Sequence, residues 1–277
     1  MEHFLQRNNG YLARKEISEL LEQFRNDPMR LEPYGFKVYS QGDEDGIIEE
    51  IFRRLDIKKG SFCEIGVEKG LECNTHYLLH KGWSGIWIDG RSEYIEYILE
   101  NCPQVNKKLK VIHAYLTKSN LNNTLESIGL TRDRELDFLS IDIDGNDIHL
   151  FTEMDIRPKV ICIEYNAKWP ANVTRIPVYN PDNIWCGDDY MGASLKSLVD
   201  VAKFKAYELV GTNITGANAF FVRKDLVKDR FSLAPIEKLY NPPRYWLIYD
   251  HFWHIGHPAA FGKYDDSDFG ILRYSII

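Results

Sequence analysis

Between Gly60 and about residue 205 the chain alternates short runs rich in Ile, Val and aromatic residues with stretches of helical periodicity, and this alternation limits its fold more than any other feature. Such runs suit strands buried on both faces, and a helix between successive runs makes the connections crossovers. The chain is therefore predicted to be α/β, a parallel sheet flanked by helices. Strands are predicted over 61–66, 84–89, 109–115, 137–143 and 159–165, with helices over 72–81, 92–101, 119–128 and 147–154. The last of these helices follows Asp144-Gly145-Asn146-Asp147, residue types that cap a helix N-terminus. Another helix is predicted over 194–205, where apolar residues recur at 195, 198, 199 and 202. Two β-runs, Tyr207–Gly211 and Ala219–Val222, joined by a short glycine-containing stretch, read as a closing hairpin.

At 277 residues there is room for one large domain with appended segments. Residues 59–226 would form the sheet domain, 1–58 its bracing or capping helices, and 227–277 an aromatic-rich extension broken by Pro and Gly. The N-terminal helices are expected over 17–24 and 45–55, the second with Ile47, Ile48, Ile51, Phe52 and Leu55 in one stripe. A net charge of −7 leaves no positive field to gather phosphates, so no nucleic-acid partner is expected; the basic run 106–110 reads as a solvated approach to a strand. Five scattered cysteines (Cys63, Cys73, Cys102, Cys162, Cys186) form no CxxC pair and suit a reducing compartment. Cys63 and Cys162 lie in apolar runs and read as core. No leader-like segment opens the sequence, and no stretch approaches the ~18 apolar residues of a membrane span, so a cytoplasmic location is expected.

The first predicted strand ends in Glu64-Ile65-Gly66-Val67-Glu68-Lys69-Gly70, an acidic residue and a glycine loop opening toward a helix. Dinucleotide-binding loops carry GxGxxG facing a pyrophosphate. Here the second glycine is missing and Glu68 stands in the loop, where its charge would repel a diphosphate and favour a cationic group such as the methionine end of S-adenosylmethionine. The second strand ends in Asp89-Gly90, about 20 residues on, where a carboxylate can accept ribose hydroxyls.

Asp142 and Asp144 end the fourth strand, and Glu164 and Asn166 the fifth, at the edge where open α/β sheets bind ligands. Residues i and i+2 of a strand point to one side, so the two pairs can offer four oxygen-bearing side chains to a hard divalent cation, Mg²⁺ or Mn²⁺. Alternatively, Asp144-Gly145-Asn146-Asp147 only turns the chain and caps the next helix.

The run Leu139-Ser140-Ile141-Asp142-Ile143-Asp144-Gly145-Asn146-Asp147, with Glu64-x-Gly66, Ser40-Gln41-x-x-Glu44-Asp45 and the hairpin from Asn213 to Phe221, resembles the FkbM-like branch of S-adenosylmethionine-dependent methyltransferases over roughly residues 39–225. The resemblance implies a Rossmann-like class I methyltransferase sheet, five parallel strands plus a C-terminal β-hairpin. It also implies O-methyl transfer to a small polar acceptor, such as a sugar hydroxyl or phosphate-like oxygen of a glycan or natural-product precursor. Cofactor contacts are expected at Gln41, Glu64, Gly66, Gly70, Asp89, Gly90, Ala114 and Asp142. Asp142, Asp144, Glu164 and Asn166 look like the metal site of catechol O-methyltransferase, where Mg²⁺ orients the acceptor oxygen. Where many methyltransferases have GxGxG, this chain has only Gly66 and Gly70.

Methyl transfer needs an in-line approach of a nucleophilic oxygen to the sulfonium carbon, so positioning and deprotonating the acceptor are the main catalytic tasks. The candidates are Asp142, Asp144, His149 and Lys168, with Tyr165 close by; His149 also fits a surface helix position. The long stretch Trp169–Met191, carrying Pro170, Tyr179, Trp185 and Tyr190, is expected to close over the acceptor. His251, His254 and His257 have a metal-like spacing, but Gly256 and Pro258 break the helix that would align them, so packed histidines in a pocket wall or homodimer contact are expected. Two other functions fit parts of the pattern. One is a metal-dependent glycosyltransferase using Asp142-Ile143-Asp144 as a DxD motif; the other is a non-catalytic binding module on the same fold.

Overall fold

The computed structural model describes residues 2–102, 105, 107–247 and 264–265. Its centre is a seven-stranded sheet in the order β3-β2-β1-β4-β5-β8-β7. The strands are β1 (Ser61–Ile65), β2 (Ser84–Asp89), β3 (Leu109–His113), β4 (Phe138–Ile141), β5 (Val160–Glu164), β7 (Tyr207–Thr212) and β8 (Asn218–Arg223); β6 (Ile176–Pro177) and β9 (Tyr264–Asp265) form a separate two-residue pairing. Strands β1 to β5 pair in parallel, and β8 runs antiparallel to both β5 and β7. This is an α/β, Rossmann-like sheet, five parallel strands followed by a hairpin.

The hairpin does not continue the sheet in chain order: its second strand sits inside and its first lies at the edge. Asn218 to Val222 are all buried, as a central strand requires, whereas β7 carries half-buried Glu208 and an irregular register between Leu209 and Gly211 that suit an edge.

Alternate residues of the strands feed two cores. Cys63, Leu139, Ile161 and Phe221 face one side, against Leu121 and Leu125 of α5 (Leu121–Ser127), Ile148 and Phe151 of α6 (Asp147–Glu153), and Leu195 and Leu198 of α7 (Leu195–Phe204). Phe62, Phe138, Cys162 and Phe220 face the other, against Ile47, Ile51 and Phe52 of α2 (Glu44–Arg54) and Leu78 and Leu79 of α3 (His76–His80). Ile98 of α4 (Ser92–Asn101) joins that second core. Each fully buried side chain of this kind contributes about 1.5–3 kcal/mol by leaving water.

Helix α1 (Glu2–Glu22) is longer than its periodicity suggests, and Ala13, Ile17, Leu20 and Leu21 pack on Ile214 and Leu247. Helix α3 is shorter than expected, because residues 71–75 are held in a turn by Glu64. Two short helices, α8 (Lys224–Val227) and α9 (Ile236–Leu239), follow the sheet. All five cysteines are free, with Cys63 and Cys162 fully buried. Among the described residues, no helix is long and apolar enough to cross a membrane. His251, His254 and His257 lie outside the described residues.

Candidate functional site

The β1 and β2 ends are built around glycines that no other residue could replace. Gly66 has φ +84°, and a Cβ there would fall 1.6 Å from the Asp142 carbonyl oxygen, so the β1 loop can lie against the β4 end only as glycine. At Gly70, φ +74°, a Cβ would fall 2.6 Å from the Trp87 ring. Glu64 is buried under this loop and accepts from the Asn74 amide (2.8 Å), the Thr75 amide (3.0 Å) and the Thr75 hydroxyl. The Thr75 hydroxyl oxygen in turn accepts from the Trp87 indole at 2.7 Å. Burial pushes the Glu64 carboxyl up to about 7 against the opposing pull of these hydrogen bonds.

Asp89 is similarly engaged. Its Oδ2 accepts from the amides of Val67 (3.1 Å) and Glu68 (2.8 Å), and its Oδ1 from the Arg91 amide (2.9 Å). A carboxylate offers about four acceptor positions, so three amides leave little for two ribose hydroxyls. The Ala114 amide donates to the Asp89 carbonyl at 2.9 Å, and Gly90 lies under Tyr115. Gln41 is half-buried on the segment leading into α2, and its carbonyl accepts from Lys37 at 3.3 Å.

At the β4 and β5 ends the carboxylates meet one another. Asp142, Asp144 and Glu164 each bring an oxygen within 4.8 Å of the others. Asp144 sits in the left-handed region at φ 55°, an uncommon conformation that Asp tolerates better than most residues. Glu164 Oε2 is buried without a hydrogen-bond partner. Burial first, and then mutual repulsion, push Asp142 and Glu164 well above the usual carboxylate range. Asp144 rises to about 7 through burial and the nearby Asp147 and Glu68 charges, partly offset by Arg91. Asp147 folds the turn itself, accepting from the amides of Ile143 (2.8 Å) and Gly145 (2.9 Å).

The other candidates are occupied elsewhere. Asn166 Oδ1 accepts from the Lys168 amide at 3.1 Å while its Nδ2 donates to the Asp189 carbonyl at 2.7 Å, and the Lys168 ammonium pairs with Asp189 at 3.3 Å. His149 is buried rather than on the surface, with Nε2 2.8 Å from the Pro177 carbonyl oxygen and its ring edge against Tyr179. Tyr165 donates its hydroxyl to the Asn241 carbonyl at 2.6 Å.

A polar group that sequence reasoning left without a role joins α2 to the hairpin turn. Asn213 and Asn218 donate their side-chain amides to Glu44 Oε1, at 2.6 and 3.0 Å. Asn218 is opposite Glu164 in the β5–β8 register, and its Oδ1 is buried without a partner. Asp45 Oδ2 accepts from three consecutive amides, Val38, Tyr39 and Ser40, and the Tyr39 ring stacks on His76 and His80 with centroids 4.1 and 5.0 Å away. The signal for this group was the run Ser40-Gln41-x-x-Glu44-Asp45, whose spacing names no chemistry.

Residues 169–191 cross the same edge of the sheet. Tyr115 donates to the Asn183 carbonyl (2.8 Å), Asn183 Nδ2 to the Asp144 carbonyl (2.9 Å) and Asn146 Nδ2 to the Asn180 carbonyl (2.7 Å).

No protein-family model matches the sequence, and no curated protein does. Solved structures are similar in fold. TrmK of M. capricolum in complex with S-adenosyl-homocysteine shares 10% identity at a TM-score of 0.41, over 62% of this chain and 66% of that one. A SAM-dependent methyltransferase from Aquifex aeolicus shares 14% at 0.39, over 75% and 95%. A Staphylococcus aureus protein provisionally assigned as a caffeoyl-CoA O-methyltransferase shares 14% at 0.46, over 78% and 99%. These likenesses are of fold alone.

Proposed function

We propose that the chain is an S-adenosylmethionine-dependent O-methyltransferase of the FkbM-like kind, acting on a small polar acceptor such as a sugar hydroxyl or a phosphate-like oxygen. The observation that carries this reading is the direction of the glycine-loop amides. A diphosphate-binding loop keeps its amides free for the anion. Here Val67 and Glu68 donate to Asp89, so their amides are not open to a diphosphate, and the exposed Glu68 side chain brings a carboxylate to the loop. That surface suits a cofactor carrying a sulfonium and an ammonium, and it disfavours the nucleotide diphosphate a glycosyltransferase needs. A binding module without chemistry has no use for three carboxylates that repel one another at the β4 and β5 ends.

A divalent cation, Mg²⁺ or Mn²⁺, fits the same residues. Asp142, Asp144 and Glu164 would hold it, and the unpartnered Glu164 Oε2 is the oxygen that fits the role best, whereas Asn166 Oδ1 is already engaged. When bound, such an ion supplies positive charge that lowers the pKa of an acceptor hydroxyl. With no ion bound, Asp144, at about 7, suits the task of accepting the hydroxyl proton near neutral pH. His149 and Lys168 are turned to the crossing segment and would position it instead.

Calorimetry with S-adenosylmethionine, with and without MgCl₂, tests the reading. Micromolar binding is expected; no binding at millimolar cofactor, or binding of a UDP-sugar in its place, would reject methyl transfer.

A further inference from the structure

Asn218, on β8, lies directly opposite Glu164 of β5. Residues opposed in this way share one face of the sheet, with Cβ atoms about 4.5–5.5 Å apart. Asn218 is only 5% exposed, and most of its polar groups are engaged. Its backbone N–H donates to Asn213 Oδ1 (2.8 Å), its carbonyl accepts from the Asn213 amide (3.0 Å), and Nδ2 donates to Glu44 Oε1 (3.0 Å). A carboxylate only accepts, so Glu44 holds the nitrogen end of the amide toward α2 and turns the oxygen end away. That oxygen is buried without a donor, and so is Glu164 Oε2 on the adjoining strand. Buried acceptors without donors are rare in folded proteins, and a cation satisfies two of them at once.

We infer that Asn218 Oδ1 is the fourth oxygen of the cation site, joining Asp142, Asp144 and Glu164 in the place that sequence reasoning gave to Asn166. Its role depends on the divalent-cation reading proposed above. The strands β4, β5 and β8 are consecutive in the sheet, so Asp142, just past β4, and Asn218 flank Glu164 from either side. Oxygens of the three carboxylates lie within 4.8 Å of one another. Two oxygens on opposite sides of a Mg²⁺ ion are about 4.2 Å apart, so a small closure suffices. An amide oxygen adds a ligand without a fourth negative charge, and hard cations take such carbonyls together with carboxylates. Glu44 then acts on the ion only through Asn218, as a positioning residue that fixes which end of the amide faces the site.

The test titrates the full chain, without cofactor, with MnCl₂ and separately with CdCl₂, followed by calorimetry. The wild type should bind Mn²⁺ saturably, and Glu164→Gln and Asn218→Ala should each weaken it by about tenfold or more. Asn218→Cys exchanges a hard oxygen for a soft sulfur and should raise the ratio of Cd²⁺ to Mn²⁺ affinity by at least about tenfold over the wild type. A lost tie to Glu44 does not by itself change that preference. Unmoved Mn²⁺ affinity in Asn218→Ala, or an unmoved ratio in Asn218→Cys, overturns the inference; should Asn218→Ala fail to fold, the ratio alone decides. An effect of Glu164→Gln without either Asn218 effect removes Asn218 and keeps the cation, whereas a wild type that binds no Mn²⁺ removes both. Methyl transfer is decided apart from these outcomes, by the titration with S-adenosylmethionine.

Discussion

Glu64 and Asp89, at the ends of β1 and β2, spend their oxygens on backbone amides of the loops that follow, whereas Asp142, Asp144 and Glu164, at the ends of β4 and β5, face one another. All five are acidic side chains at one edge of one sheet, so sequence type does not separate them. What separates them is what surrounds each oxygen. A buried carboxylate with amide partners fixes a turn, and its removal leaves donors stranded. A buried carboxylate facing other carboxylates destabilises the fold, and such an arrangement persists where something outside the chain completes it.

The sharpest break of this comparison comes from the unsatisfied side. Asp144→Asn keeps the shape of the side chain and removes its capacity to take a proton, so methyl transfer should fall by about 100- to 10,000-fold while cofactor affinity barely changes. Without divalent cations the wild-type rate should rise with pH through about 7, as Asp144 ionises, and the variant's residual rate should lose that step. An unchanged pH profile would take the base role away from Asp144.

On the satisfied side, Glu64→Ala strands the buried amides of Asn74 and Thr75 and should cost about 2–4 kcal/mol of stability, read as a lower denaturant midpoint with little change in slope. Asp89→Asn should weaken S-adenosylmethionine by about 10- to 100-fold, because its amide group cannot accept from Val67, Glu68 and Arg91 together and the loop shifts. If both variants fold and bind as the wild type does, the two sets of carboxylates do not differ in the way described.

The division between the two sets was only half legible in the sequence. The parallel strands were legible because each is an apolar run bounded by turn residues, and the convergence of Asp142, Asp144 and Glu164 followed from strand periodicity and the location of strand ends. Partners were not legible. Glu64 and Asp89 have the residue types and spacing of cofactor contacts, yet their oxygens are taken up by amides that only the folded turns bring near. His149 and Asn166 likewise engage carbonyl or amide groups of the chain, which carry no side-chain signature. The inner position of β8 is set by its pairing with β5, and the local patterns of Tyr207–Thr212 and Asn218–Arg223, each buried but for one half-buried residue, do not decide it.

The smallest effect is also the most discriminating, because its sign reverses between the two sets. Glu164 is held well above the usual carboxylate range by burial and by Asp142, Asp144 and Asp147. A group raised in this way is protonated in the folded chain where its unfolded counterpart is already ionised. Its contribution to stability is therefore complete below the ordinary carboxylate pKa and is lost as pH rises through the raised value. Glu164→Gln removes that loss, so at pH 8 without divalent cations the variant should be more stable than the wild type by about 1 kcal/mol, with the difference shrinking as pH falls toward 4. Adding MgCl₂ at pH 8 should stabilise the wild type and leave the variant nearly unmoved, since a cation gains from Glu164 only while its oxygens are free to coordinate. A variant less stable than the wild type at pH 8 would place Glu164 with Glu64 and Asp89, among the carboxylates the fold itself requires.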